Sequence, residues 1–149
     1  MPDAERIALL GTGVFFLIGL LTGIWKYRGI MSSPTGQAHP YVDIVHRAAL
    51  MYAFASLVVW KFAELSTLGD AVELWAVIAL VGYFGIAIVT YLMHALLKDT
   101  DNQLRAPFQL GTATIPRPMI EALMWSLIAA EVGGFVVLFY GAGRGLSFW

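Results

Sequence analysis

The stretch that decides the fold is LWAVIALVGYFGIAIVTYLMHALL, residues 74–97. It holds no Asp, Glu, Lys or Arg. Such a run exceeds the ~20 residues with which an α-helix crosses a ~30 Å hydrocarbon core. Three more apolar stretches share its character, at 7–25, 42–63 and 119–140. Backbone N–H and C=O groups in lipid must be satisfied within the segment, so all four are read as helices. The expected fold is therefore all-α, an integral membrane four-helix bundle. It forms a single transmembrane domain over residues 1–149, with both termini on the same side.

Composition agrees. Of 149 residues, 59% are hydrophobic and only 13% charged, against roughly 25% charged in soluble domains. Mean hydropathy is +0.75. These values exclude a disordered chain, a basic nucleic-acid-binding domain and an ordinary soluble enzyme. Nine Lys+Arg against ten Asp+Glu give a net charge of −1, and no steering field follows. The absence of cysteine removes disulfides, thiolate metal or haem ligands and a cysteine nucleophile. The first stretch is not read as a signal peptide: Met1–Arg6 is not strongly basic and no small-residue cleavage site follows.

Lys26, Arg28, Lys98, Arg105 and Arg117 flank the first and third loops, with Arg47 close by. Only Arg6, Lys61 and Arg144 lie on the other side. The positive-inside rule then puts the first and third loops in the cytoplasm of a bacterial inner (plasma) membrane. Trp25, Tyr27, Tyr41, Trp60, Trp75, Tyr140 and Trp149 fall near helix ends, where an aromatic belt is expected. The third loop, 98–118, is long for so small a protein, and such loops are commonly functional. A site is expected to open on that side.

Ionisable groups in a bilayer cost about 2.5–3.5 kcal/mol each on insertion scales, so each needs a reason. Asp43, His46, Arg47 and Leu50 share one face of the second span by the i, i+3, i+4 rule. Tyr83, Tyr91 and His94 lie along one side of the third. His46, Tyr91 and His94 thus reach a similar depth from two helices. The plainer reading is that Arg47 snorkels and pairs with Asp43, and that the histidines are satisfied polar residues. His39 precedes a proline in a loop. Glu131 falls near mid-membrane and must line a cavity, find a cation or sit protonated between helices. Gly19 and Gly23 form a GxxxG, a close helix contact if it is used. There is no HExxH, GxSxG or phosphate-binding GxxxxGK[ST], and Asp43-x-x-His46 occurs only once, which argues against a di-iron bundle. A haem asks for less, namely one imidazole in an apolar slot.

The run His46-Arg47-Ala48-Ala49-Leu50-Met51-Tyr52, after SPTGQAH, resembles the second span of the styrene oxide isomerase and hydroxylaminobenzene mutase family of small four-span membrane proteins. Tyr91, in Tyr91-Leu92-Met93-His94, matches the tyrosine that precedes the family's long loop. The resemblance implies a homotrimer binding haem b (iron) near subunit interfaces. It implies His46 as the axial metal ligand and Tyr91 as a substrate-positioning residue. The expected reaction is Lewis-acid isomerisation of a small hydrophobic oxygenated substrate, such as an epoxide-to-carbonyl rearrangement. Two departures stand out. The family's Asn-Gly is replaced by Tyr52-Ala53, which brings Tyr52 into the expected pocket, and His94 is an additional histidine. Asp43, Arg47 and His94 complete the expected cofactor surroundings. Two other readings stay open: a bis-His cytochrome using His46 and His94 for electron transfer, and a cofactor-free transporter or interaction subunit with a polar path through Asp43, Arg47 and Glu131.

Overall fold

The computed structural model describes residues 1–148. It is a bundle of four helices: α1 (Asp3–Ser32), α2 (Pro40–Leu65), α3 (Asp70–Leu97) and α4 (Arg117–Gly145). All four are long and apolar enough to cross a membrane. Every helix overruns the stretch expected from hydropathy. At 1.5 Å rise per residue even the 26-residue α2 is about 39 Å long, longer than the ~30 Å hydrocarbon core. The extra turns carry the polar ends: α1 continues through Lys26, Tyr27 and Arg28 and stops only before Ser33-Pro34.

The helix starts follow local chemistry. Asp3 and Glu5 sit in the first turn of α1, where the helix dipole favours anions. Pro40 opens α2 and Pro118 the first turn of α4, positions where the missing N–H costs nothing. His39 caps α2, its Nδ1 accepting from the Tyr41 amide at 3.3 Å. α3 ends differently, with Lys98 in the left-handed region at φ 52°.

Helix association in lipid rests on close packing of small residues rather than on a hydrophobic drive. The α1–α2 contact shows this. A β-carbon at Gly19 would stand 2.5 Å from Leu50 Cδ2, and one at Gly23 would stand 2.9 Å from His46 Cε1. The GxxxG is thus the close contact itself. Ala8, Val45, Ala49, Val77, Leu80, Ile88 and Leu138 are buried at the centre. α4 is the least covered helix, and Trp125, Val132 and Val136 are exposed along it. Pro2–Ala4 border a cavity with Asp70–Leu74, and the Gly141 carbonyl accepts from Thr67 in the α2–α3 turn.

The third loop is not merely a loop. It contains a two-stranded antiparallel hairpin, β1 (Gln109–Leu110) and β2 (Ala113–Thr114), turned through Gly111 at φ 61°. In the expected aromatic belt, Tyr27, Trp75 and Tyr140 are exposed. Tyr41 is not part of it, being only 2% exposed. Trp149 lies outside the described residues.

Candidate functional site

The expected site residues fall into three neighbourhoods. The first surrounds His46. Its ring lies in the seam against α1, with Nδ1 2.8 Å from the Gly19 carbonyl oxygen. A carbonyl only accepts, so Nδ1 carries the proton and Nε2 is left with its lone pair unprotonated. The absence of a side chain at Gly23 makes room for the Nδ1–Cε1 edge. His46 is half-buried, and Nε2 has no hydrogen bond to the described residues. One turn closer to the first loop, Asp43 bridges two cations: Lys26 Nζ at 2.6 Å and Arg47 at 2.7 Å. The Asp43–Arg47 pair was expected. Lys26 was not, because it belongs to another helix. Arg47 is largely exposed.

The second neighbourhood is an apolar cleft of about 490 Å³ among α2, α3 and α4, walled by Phe54, Val58, Leu80, Phe84 and Phe135. Glu131 borders it, and its Oε1 is buried with no hydrogen-bond partner. Tyr52 stacks on Phe84 with ring centroids 4.6 Å apart.

The third neighbourhood is the α3–loop junction. His94 is 2% exposed, and its Nδ1 stands 2.8 Å from Asp99. The Asp99 carboxylate also accepts from the Gly111 amide at 2.6 Å. Burial alone would raise the Asp99 carboxyl, but the bonds from Gly111 and His94 outweigh it and hold it below the ordinary carboxylate range. The Tyr41 ring packs 4.9 Å from His94 and 6.2 Å from Tyr91, and its hydroxyl accepts from the Gln103 amide at 2.5 Å.

His46 and His94 are therefore not turned to a common point. One faces α1, and the other faces Asp99 and Tyr41 beneath the loop. Nor do Asp43 and Arg47 join Glu131, whose buried oxygen has no partner. Tyr41, Asp99 and Gln103 were not singled out as site residues. Only the Asp99 spacing carried a signal, five residues beyond His94 across a helix end.

The donor set decides which metal species these residues suit. Among the described residues, no three His, Asp or Glu side chains gather to hold a bare metal ion. A haem brings four nitrogens of its own and needs a single protein donor; the His46 imidazole, with Nδ1 bound to Gly19 and Nε2 without a hydrogen bond, is a donor of that type. Neither a protein-family model, nor a curated protein, nor a solved structure matches the chain.

Proposed function

We propose that this protein is a haem b-dependent membrane isomerase of small apolar oxygenated substrates, in which His46 would hold the iron. The observation that supports it most is the His46–Gly19 bond of 2.8 Å. Metal-bound histidines commonly donate their second ring nitrogen to a carbonyl or carboxylate, which fixes the tautomer and strengthens the ligand. Haem iron held there would supply a Lewis acid for the substrate oxygen.

The chain's own residues supply the rest. The cleft bordered by Phe84 and Glu131 is apolar and lies between helices read as crossing the membrane, a setting that suits lipid-soluble substrates. Tyr52 and Tyr91 offer hydroxyls to orient a substrate oxygen. An epoxide-to-carbonyl rearrangement conserves every atom, and the protein need only hold the reacting conformation and shield the electron-poor carbon. His46 faces α1 while the cleft opens among α2, α3 and α4. The ligand of one chain and the cleft of another would then meet in a homo-oligomer, a trimer by resemblance. The cation balance supports cytoplasmic first and third loops in a bacterial inner membrane.

The test is the visible absorption spectrum of detergent-purified protein, oxidised and dithionite-reduced, with conversion of an aryl epoxide to its aldehyde measured alongside. A stoichiometric Soret band with a high-spin ferric component is expected, and His46→Ala should abolish both haem retention and conversion. A His46→Ala protein with full haem content, or a wild type that stays colourless when haem is supplied, would overturn the proposal.

A further inference from the structure

The third loop folds back as the β1–β2 hairpin and encloses a cavity of about 200 Å³ against α3 and α4. Its walls are apolar, with Phe108, Leu110, Ile115, Leu123 and Met124 among them. Four polar side chains also line it: Thr90, His94, Gln103 and Gln109. Thr90 spends its hydroxyl proton on the Ile86 carbonyl, and Gln109 is exposed, which leaves His94 and Gln103 as the inner polar pair. The Nδ1 of His94 is engaged by Asp99 at 2.8 Å. A carboxylate only accepts, so in the neutral ring Nε2 is left as an acceptor. It makes no hydrogen bond to the described residues. The Gln103 Oε1 is buried and also lacks a partner. Two unused acceptors therefore border one apolar chamber.

That combination is costly unless something fills it. A buried unpaired acceptor such as Gln103 Oε1 has given up its hydration without compensation. One water could donate to both acceptors but takes only ~30 Å³, far less than the chamber, whereas an apolar cavity of roughly 150 Å³ holds a benzene ring. The chamber is also held open in advance. The Gln103 amide donates to Tyr41 Oη, and the Gly111 amide donates to Asp99, so the loop is pinned at two points. A ligand then has no loop to order on entry.

We propose that this cavity is a binding site for a compact, mostly apolar molecule carrying a single hydroxyl or N–H donor, a phenol or aryl alcohol by class. The ring packs among the apolar walls, and the donor is taken by His94 Nε2 or Gln103 Oε1. A molecule with only acceptor atoms leaves both protein acceptors unpaired, and sites built for a donor reject such analogues strongly. An anion meets two lone pairs with the Asp99 carboxylate behind them. The site is separate from His46 and independent of any haem.

Methionine methyl groups provide the readout. Met93 and Met124 line the cavity; Met93 is also partly exposed, so Met124 is the decisive reporter, while Met1, Met31, Met51 and Met119 are exposed elsewhere. Full-length protein in detergent, labelled with methyl-¹³C methionine, is titrated with phenol and separately with benzene. Phenol should shift the Met124 methyl saturably, with benzene binding roughly tenfold more weakly, the worth of about one hydrogen bond. Gln103→Leu leaves the backbone bond to Tyr41 and the His94–Asp99 pair in place, and it should narrow the phenol preference severalfold. His94→Phe should narrow it further. Equal affinity for phenol and benzene, or shifts at Met1, Met31, Met51 and Met119 alone as micelle partitioning would give, would overturn the assignment. An unchanged phenol preference in both variants would do the same.

Discussion

The Gly19 carbonyl oxygen and His46 Nδ1 stand 2.8 Å apart across the α1–α2 seam, so the helix contact and the imidazole orientation are one feature. The two glycines of the seam should nevertheless respond differently to alanine. A β-carbon at Gly19 meets Leu50 Cδ2 at 2.5 Å, Cγ at 2.8 Å and the Leu50 amide nitrogen at 3.3 Å. The helices must separate, and overpacking of this kind costs about 1–3 kcal/mol. At Gly23 the obstacle is the mobile imidazole, whose Cε1 lies 2.9 Å away. Gly23→Ala should turn the ring at the cost of about one hydrogen bond, ~1 kcal/mol. Thermal melts in detergent should rank Gly19→Ala below Gly23→Ala; if His46 holds haem as proposed, Gly23→Ala should also shift or weaken the Soret band. Equal melts and an unaltered band would mean that the ring is not held by this seam.

Asp99 should govern closure of the third loop in a pH-dependent way. Its carboxyl is held below the ordinary value of 3.8 because the Gly111 and His94 bonds outweigh the effect of burial. A depressed folded value adds stability that is complete above the unfolded value and is lost as pH falls through the folded one. The hairpin should therefore stay closed at neutral pH and loosen below about pH 3.8. Asp99→Ala should loosen it at every pH. The Gly111 amide, 2.6 Å from Asp99, reports this by hydrogen exchange. Its protection factor should drop at least tenfold in Asp99→Ala, matching the roughly 1.5–3 kcal/mol of a bond to a charged group. Equal protection in wild type and variant at pH 7 would remove Asp99 from the latch.

The four helices were readable because lipid demands length and apolarity together, and 74–97 meets both without a break. Their overruns were not, since interfacial turns such as Lys26–Ser32 are polar and look like loop. Within the site, the Asp43–Arg47 pair was legible because both lie on one helix face. The His94–Asp99 pair was hidden by Lys98, which adopts a left-handed cap conformation that usually announces itself as Gly or Asn. The hairpin was hidden for a related reason. Strands of two residues have no pattern, and the Gly111 turn is held by a carboxylate twelve positions away in sequence. The common depth of His46, Tyr91 and His94 was inferred from periodicity, but depth does not fix direction, and only the packing turns His46 toward α1.

His39 should add a second, weaker pH dependence at the start of α2. Burial pushes its imidazole below the usual 6.5, and Lys98 adds to the effect. Its Nδ1 accepts from the Tyr41 amide at 3.3 Å, which a protonated ring cannot do. The lowered value means that the neutral ring adds stability in full above pH 6.5, and this is lost as pH falls through the folded value. His39→Asn keeps a capping acceptor and should flatten the stability profile between pH 7 and 5, a window set by the ordinary histidine range. His39→Ala should lose about 0.5 kcal/mol at pH 7, the low end for a cap, as the long bond suggests. Denaturation midpoints across that window check both, and a wild type whose midpoint rises on acidification would contradict the sign.

Glu131 sits at the middle of α4 with a buried, unpartnered Oε1 beside an apolar cleft. Such a group costs about 1–3 kcal/mol, and burial of this kind persists where function needs it. Glu131→Leu should therefore stabilise the protein in detergent, raising the melting temperature by roughly 2–8 °C for a chain of this size. If the cleft is the substrate site, the same change should lower turnover of an aryl epoxide, because it removes the buried carboxyl that borders the cleft. Glu131→Gln keeps shape and polarity without the ionisable group, and should fall between the two in both measurements. Higher stability with lower turnover marks a group retained for the reaction. A fall in melting temperature would mean instead that the carboxyl holds the helices together, and that the cleft's polarity is structural.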